Sequence, residues 1–107
     1  MDHLALKVSD QERARRFYEH YCGFGAPRTY PDGTLMLHRE AFALALGGDG
    51  FQPHFGQSLA DADAVRAMAE RLRGDGLEIV EEWDEPDHAS VKVRDPDGHI
   101  VEFFCET

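Results

Sequence analysis

The sequence predicts an α+β fold in which one βαβββ pattern occurs twice within 107 residues. Three observations carry this: a self-similarity at an offset of 51 residues, an alternating apolar run opening each half, and a helical apolar stripe that ends in glycine in each half. At that offset His3 falls on His54, Asp10 on Asp61, Arg15 on Arg66, Glu19 on Glu70, Gly23 on Gly74 and Gly25 on Gly76. The apolar positions agree as well, Leu4 on Phe55, Val8 on Leu59, Phe17 on Met68 and Tyr21 on Leu72, with no gap across residues 3–25. The chain therefore reads as a single domain, 1–107, made of module one (1–47), a glycine-rich flexible linker (48–52) and module two (53–107).

Each element follows from local chemistry. His3 to Val8 alternates, with Leu4, Leu6 and Val8 on one face and His3, Ala5 and Lys7 on the other, the pattern of a half-buried strand. Ser9 opens a Ser-x-x-Glu capping box closed by Glu12, which predicts a helix start at Ser9. Ala14, Phe17, Tyr18 and Tyr21 recur at helical spacing and form its packing face; Gly23 and Gly25 end it. In module two the strand is Phe55 to Leu59, the N-cap is Asp61, the stripe is Val65, Met68, Ala69 and Leu72, and the stop is Gly74 with Gly76. Shorter strands are expected at 28–30, 34–37 and 41–46, then at 77–83, 90–94 and 99–105. Pro31-Asp32-Gly33 and Asp95-Pro96-Asp97-Gly98 supply turns, with Pro fixing φ and Gly supplying positive φ. Periodicity leaves the strand order open.

Composition narrows the function. Lys and Arg number 11 against 21 Asp and Glu, a net charge of −10 that repels both duplex nucleic acid and anionic membranes. The same charge suits solubility, and less directly a cationic ligand. A 42% hydrophobic fraction with seven Phe, three Tyr and one Trp supports a packed core. Cys22 and Cys105 make neither a disulfide framework nor a zinc pattern, which predicts a reducing, cytoplasmic setting. Met1-Asp2-His3 runs straight into strand pattern, so no signal peptide is expected, and the longest apolar run, Ala41 to Leu46, is too short to span a membrane. Two small modules have a modest core, which predicts a homodimer that sedimentation at micromolar concentration would reveal.

Three polar residues break the apolar pattern. His3 and His54 open equivalent strands on the face opposite the helix-packing residues. Glu102 lies inside Ile100-Val101-Glu102-Phe103-Phe104, where Val101 and Phe103 would face the helix and leave Ile100, Glu102 and Phe104 on the other side. Two imidazoles and one carboxylate on a shared face make a metal-ligand set. It suits Fe(II), Mn(II), Zn(II) or Ni(II) and leaves coordination positions open.

The residues His3 to Asp10, Arg16-Phe17-Tyr18, Cys22-Gly23-Phe24, His54-Phe55-Gly56, Arg71-Leu72, Gly76-Leu77-Glu78-Ile79 and Asp95-Pro96-Asp97-Gly98-His99-Ile100-Val101-Glu102-Phe103 resemble the vicinal oxygen chelate superfamily of glyoxalases, extradiol dioxygenases, fosfomycin-resistance enzymes and bleomycin-resistance proteins. The resemblance covers essentially the whole chain. It implies paired βαβββ modules whose curved mixed sheets form a cup around a metal, with ligands from the first and last strand of each module. His3, His54 and Glu102 fall at three of those positions. The fourth departs: superposing 42–46 on 100–104 puts Leu44 where glyoxalase I has a ligating Glu, and a one-residue slip gives Ala43 or Ala45. In glyoxalase I that carboxylate takes part in proton transfer, so the chemistry expected here is not that of a true glyoxalase I.

The expected function is a metal-dependent enzyme of the glyoxalase or dioxygenase type, acting on a small substrate with vicinal oxygens through His3, His54 and Glu102. No general base is assignable. The alternative is a metal-free protein that sequesters a drug or metabolite, as bleomycin-resistance proteins do. Lys92, whose neighbours Val91 and Val93 point the other way, is a candidate for holding a substrate oxyanion, and Trp83 and Tyr30 for lining an aromatic wall. Glu81-Glu82 stands where a phosphonate-binding protein would need cations. His99 reads as a turn residue, His20 as a solvated helix residue, and His38 and His88 as residues in or near loops.

Overall fold

In the computed structural model, which describes residues 1–86 and 88–106, the chain divides into two compact units, Met1–Pro53 and His54–Thr107. The first runs β1 (Asp2–Lys7), α1 (Gln11–Cys22), β2 (Gly25–Thr29), β3 (Leu35–Arg39) and β4 (Phe42–Gly47). The second repeats it as β5 (His54–Ser58), α2 (Ala62–Gly74), β6 (Ile79–Glu85), β7 (His88–Arg94) and β8 (Ile100–Glu106). The class is α+β and each unit is βαβββ. Within the units the strands are ordered β2-β3-β4-β1 and β5-β8-β7-β6, the same topology twice. The first and last strands of each unit pair in parallel, β1 with β4 and β5 with β8, while the other pairs are antiparallel. No described helix is long and apolar enough to cross a membrane.

Helix α2 begins as expected: Asp61 is its N-cap and accepts the Ala64 N–H at 2.8 Å. Helix α1 does not. Its N-cap is Asp10, with extended backbone and a side chain that accepts from the Arg13 N–H at 3.0 Å, so the Ser9 box is displaced by one residue. Glu12 then falls in the first turn, where it pairs with Arg15 and Arg16 instead of folding back on a cap. Gly23 (φ 75°) ends α1 in the left-handed region; Gly25 has no such φ and starts β2. In the second unit Gly74 is still helical and Gly76 (φ 81°) takes the left-handed turn.

Alternation sorts the core. In the second unit Val65, Ala69 and Leu72 of α2 pack on Ala89, Val91, Val93 and Cys105, with Val101 and Phe103 partly buried beside them. In the first unit Leu37, Leu44 and Leu46 take Leu4, Leu6, Ala14 and Tyr18. Phe17 and Tyr21, expected on the packing face of α1, are 53% and 71% exposed. Ala14 and Tyr18 lie four apart on the covered line; Phe17 and Tyr21 form the next line round the helix, and their rings meet each other at 5.0 Å instead. The segment 48–52 stays with the first unit and is no bare tether. Phe51 donates its N–H to Gly48 O at 3.2 Å, and its ring covers Gly47 so closely that a Cβ there would collide with it.

Candidate metal centre

The second unit brings two of the predicted ligands together. In the parallel β5–β8 pair His54 stands opposite Ile100 and Gly56 opposite Glu102, so His54 and Glu102 share one face. Val101, Phe103 and Cys105 take the other, towards α2. His54 Nε2 lies 3.7 Å from Glu102 Oε1, and each side chain is only 14% exposed. Metal–donor bonds of about 2.0–2.2 Å allow one divalent ion to reach both atoms at that separation. A neutral imidazole and a carboxylate are also the donor types such an ion takes. The residues fit the metal.

In the first unit His3 occupies the position of β1 that His54 occupies in β5, and is partly buried. Strand register shows what stands opposite. His3 pairs with Ala43 and Ala5 with Ala45, as His54 pairs with Ile100 and Gly56 with Glu102. The counterpart of Glu102 is therefore Ala45. Leu44, which the simple superposition placed there, points the other way into the core beneath α1. The shift follows from counting along the parallel ladder, which sequence overlay does not see. Neither residue is a ligand.

Lys92 and Trp83 lie on the same face of the second unit as Glu102. Lys92 is the register partner of Glu102 on one side and of Glu81 on the other, and Trp83 pairs with Ser90 on the next row. Lys92 Nζ is 3.5 Å from Glu81 Oε1, and the Trp83 indole N–H donates to the same oxygen at 2.7 Å. The Trp83 hydrogen bond first, and the Lys92 charge second, hold the Glu81 carboxyl below its ordinary pKa. Glu81 is thus a functional candidate that sequence reasoning missed. Glu82 faces the helix side and pairs with Arg73 of α2. The β6–β7 register, which shifts between Ile79 and Glu81, puts Glu81 and not Glu82 on the face of Lys92; alternation counted from Ile79 reverses the two.

Tyr30 lies in the first unit, in the β2–β3 turn, donating its N–H to Thr34 O at 2.9 Å, with the Arg28 guanidinium 5.3 Å from its ring centre. His38 lies near the end of β3 with Nδ1 3.1 Å from Ala26 O, and His88 is exposed at the start of β7. His99 donates its backbone N–H to Asp95 Oδ1 at 2.8 Å, a turn role. His20 stacks edge-on against Tyr21 at 4.6 Å.

A model of the Glyoxalase/Bleomycin resistance protein/Dioxygenase superfamily matches residues 1–103. The uncharacterized protein PA2024 of Pseudomonas aeruginosa is 31% identical over 121 residues, covering 96% of this chain and 86% of that protein. Among solved structures, catechol 2,3-dioxygenase superposes with a TM-score of 0.78 at 24% identity, covering 97% of this chain and 40% of that one. Methylmalonyl-CoA epimerase from Mycobacterium tuberculosis gives 0.71 at 18% identity, covering 99% and 87%. These two likenesses show the fold.

Proposed function

Because the chain belongs to the Glyoxalase/Bleomycin resistance protein/Dioxygenase superfamily, we propose that it is a metal-dependent enzyme acting on a small substrate with two neighbouring oxygens. Its ligands in this reading are His3, His54 and Glu102, each offering one donor atom. The observation that carries the reading is the His54–Glu102 pair, a 3.7 Å imidazole–carboxylate separation on a largely enclosed strand face. His3 enters by repeat equivalence, at the position of β1 that His54 holds in β5.

Two neutral imidazoles and one carboxylate suit Fe(II), Mn(II), Zn(II) or Ni(II). When bound, such an ion supplies Lewis acidity to substrate oxygens. The protein's part is to hold three donors on strands tied into parallel ladders, β1 to β4 and β5 to β8, and to leave coordination positions to the substrate. Ala45 puts a methyl group where a fourth ligand, a second carboxylate, would stand. The reading therefore excludes a proton transfer by a side chain at that position, and with it glyoxalase I chemistry.

Metal analysis of protein purified without chelator tests the proposal. The expected result is about one divalent ion per chain, falling roughly tenfold or more in His3→Ala, His54→Ala and Glu102→Ala. Sub-stoichiometric metal in the wild-type protein under every reconstitution would overturn it.

A further inference from the structure

Four strands of the second unit lay one straight row of residues across the face opposite α2: Glu81, Lys92, Glu102 and Gly56. Beside it runs a second row, Trp83, Ser90, Phe104 and Ser58. The first row alternates in charge and ends on a residue without a side chain. Lys92 is its one cation. The ammonium is 16% exposed as a side chain and Glu81 is 46% exposed, so Glu81 covers Lys92 from the solvent side. Trp83, 49% exposed, fixes that carboxylate through its indole N–H and leaves its ring open.

An anion that arrives from solvent meets Lys92 where Glu81 now sits. Glu81 yields at small cost, because an exposed carboxylate gains little from its ion pair. The arriving anion takes the place of Glu81 as the partner of Lys92, whose side chain is 16% exposed, so the ammonium is not left without one in the exchange. Two carboxylates against one ammonium leave the row anionic; a dication on Glu102 makes it cationic. That shift favours a negatively charged ligand on the same face, even in a chain whose net charge is −10.

We propose that Lys92 binds an anionic group of the substrate, that Glu81 is the internal anion the substrate displaces, and that the substrate class is a small planar carboxylate or similar oxyanion lying against Trp83. The proposal deepens the metal-enzyme reading and rests on it for the choice of site.

Calorimetry with benzoate and its neutral isostere benzamide tests it on the metal-loaded protein and again after chelation. Trp83 is the chain's one tryptophan, so its emission reports occupancy directly. The wild-type protein should prefer benzoate by about tenfold, the scale of one charge-assisted hydrogen bond. Lys92→Gln should lose that preference at unchanged metal content. Glu81→Gln, which keeps an acceptor for the indole and removes the competing charge, should bind benzoate about threefold more tightly; at an exposed position it also tests the proposal should Lys92→Gln not fold. Equal affinity for the two probes, binding of neither, a preference that survives in Lys92→Gln, or no tightening in Glu81→Gln would overturn it. Protein that takes up no metal yet keeps the benzoate preference defeats the metal reading alone, while full metal with no preference defeats only this one.

Discussion

Asp95 shows how one carboxylate sets the approach to the candidate site. Its Oδ1 accepts the backbone N–H of Asp97 at 2.9 Å and of His99 at 2.8 Å, closing the turn that delivers the chain into β8 and so to Glu102. These donors, His99 foremost, hold the Asp95 carboxyl below its ordinary value of 3.8. A depressed folded-state pKa adds stability above the unfolded value, and that stability is lost as pH falls through the folded one. Asp95→Asn should therefore be less stable than wild type near neutral pH, and the difference should shrink below about pH 4. Urea melts across that range measure it; a pH-independent difference would remove the charge from the account. The turn was legible in Asp-Pro-Asp-Gly because each residue there has its own reason to turn. Glu81 was not. It and Glu82 are chemically alike, and only the β6–β7 register, which shifts between Ile79 and Glu81, sends one to Lys92 and the other to Arg73. Leu44 and Ala45 were confused for the same reason.

At the scale of the element, the repeat predicts more symmetry than the units have. Equivalent helix positions differ in burial: Leu72 is 8% exposed and Tyr21 is 71% exposed, and α1 buries no residue fully. An apolar stripe names a face that prefers cover; how much of it a sheet covers depends on where the helix lies, which pattern alone does not encode. Helix starts are sharper. In α1 two adjacent residues, Ser9 and Asp10, are both good caps, and the structure uses Asp10. Removing a cap costs about 1 kcal/mol, whereas an exposed residue with no such role changes stability by roughly 0.5 kcal/mol at most. Asp10→Ala should then lower stability by about 1 kcal/mol in denaturant melts and Ser9→Ala by less than half as much. The opposite ranking would restore the capping box at Ser9.

Over the whole molecule the repeat was the most informative thing in the sequence, because it tied two histidines to one structural position before any strand order was known. Strand order itself was out of reach, since ladder partners such as His3 with Ala43 or Gly56 with Glu102 lie some forty residues apart and carry no local signal. The structure supplies that order and finds the same topology in both units. It also gives the charge a finer reading: Glu102 and Glu81 stand on the candidate site face, where the proposed ion and the proposed anion site would use them. An ion held by the folded chain and not by the unfolded one stabilises the fold in proportion to its binding. At a free concentration of one hundred times its Kd the gain is about 2.7 kcal/mol. For a chain of this size each kcal/mol moves the melting temperature by roughly 4–8 °C, so chelation should lower the wild-type Tm by about 10 °C or more. Glu102→Gln keeps the volume of the side chain but loses the anionic donor, and its Tm should change little on chelation. Differential scanning calorimetry of both proteins, with and without chelator, makes the comparison. A wild-type Tm indifferent to chelator while the protein carries stoichiometric metal would place that ion away from the folded ligand set and return His54 and Glu102 to an ordinary buried pair.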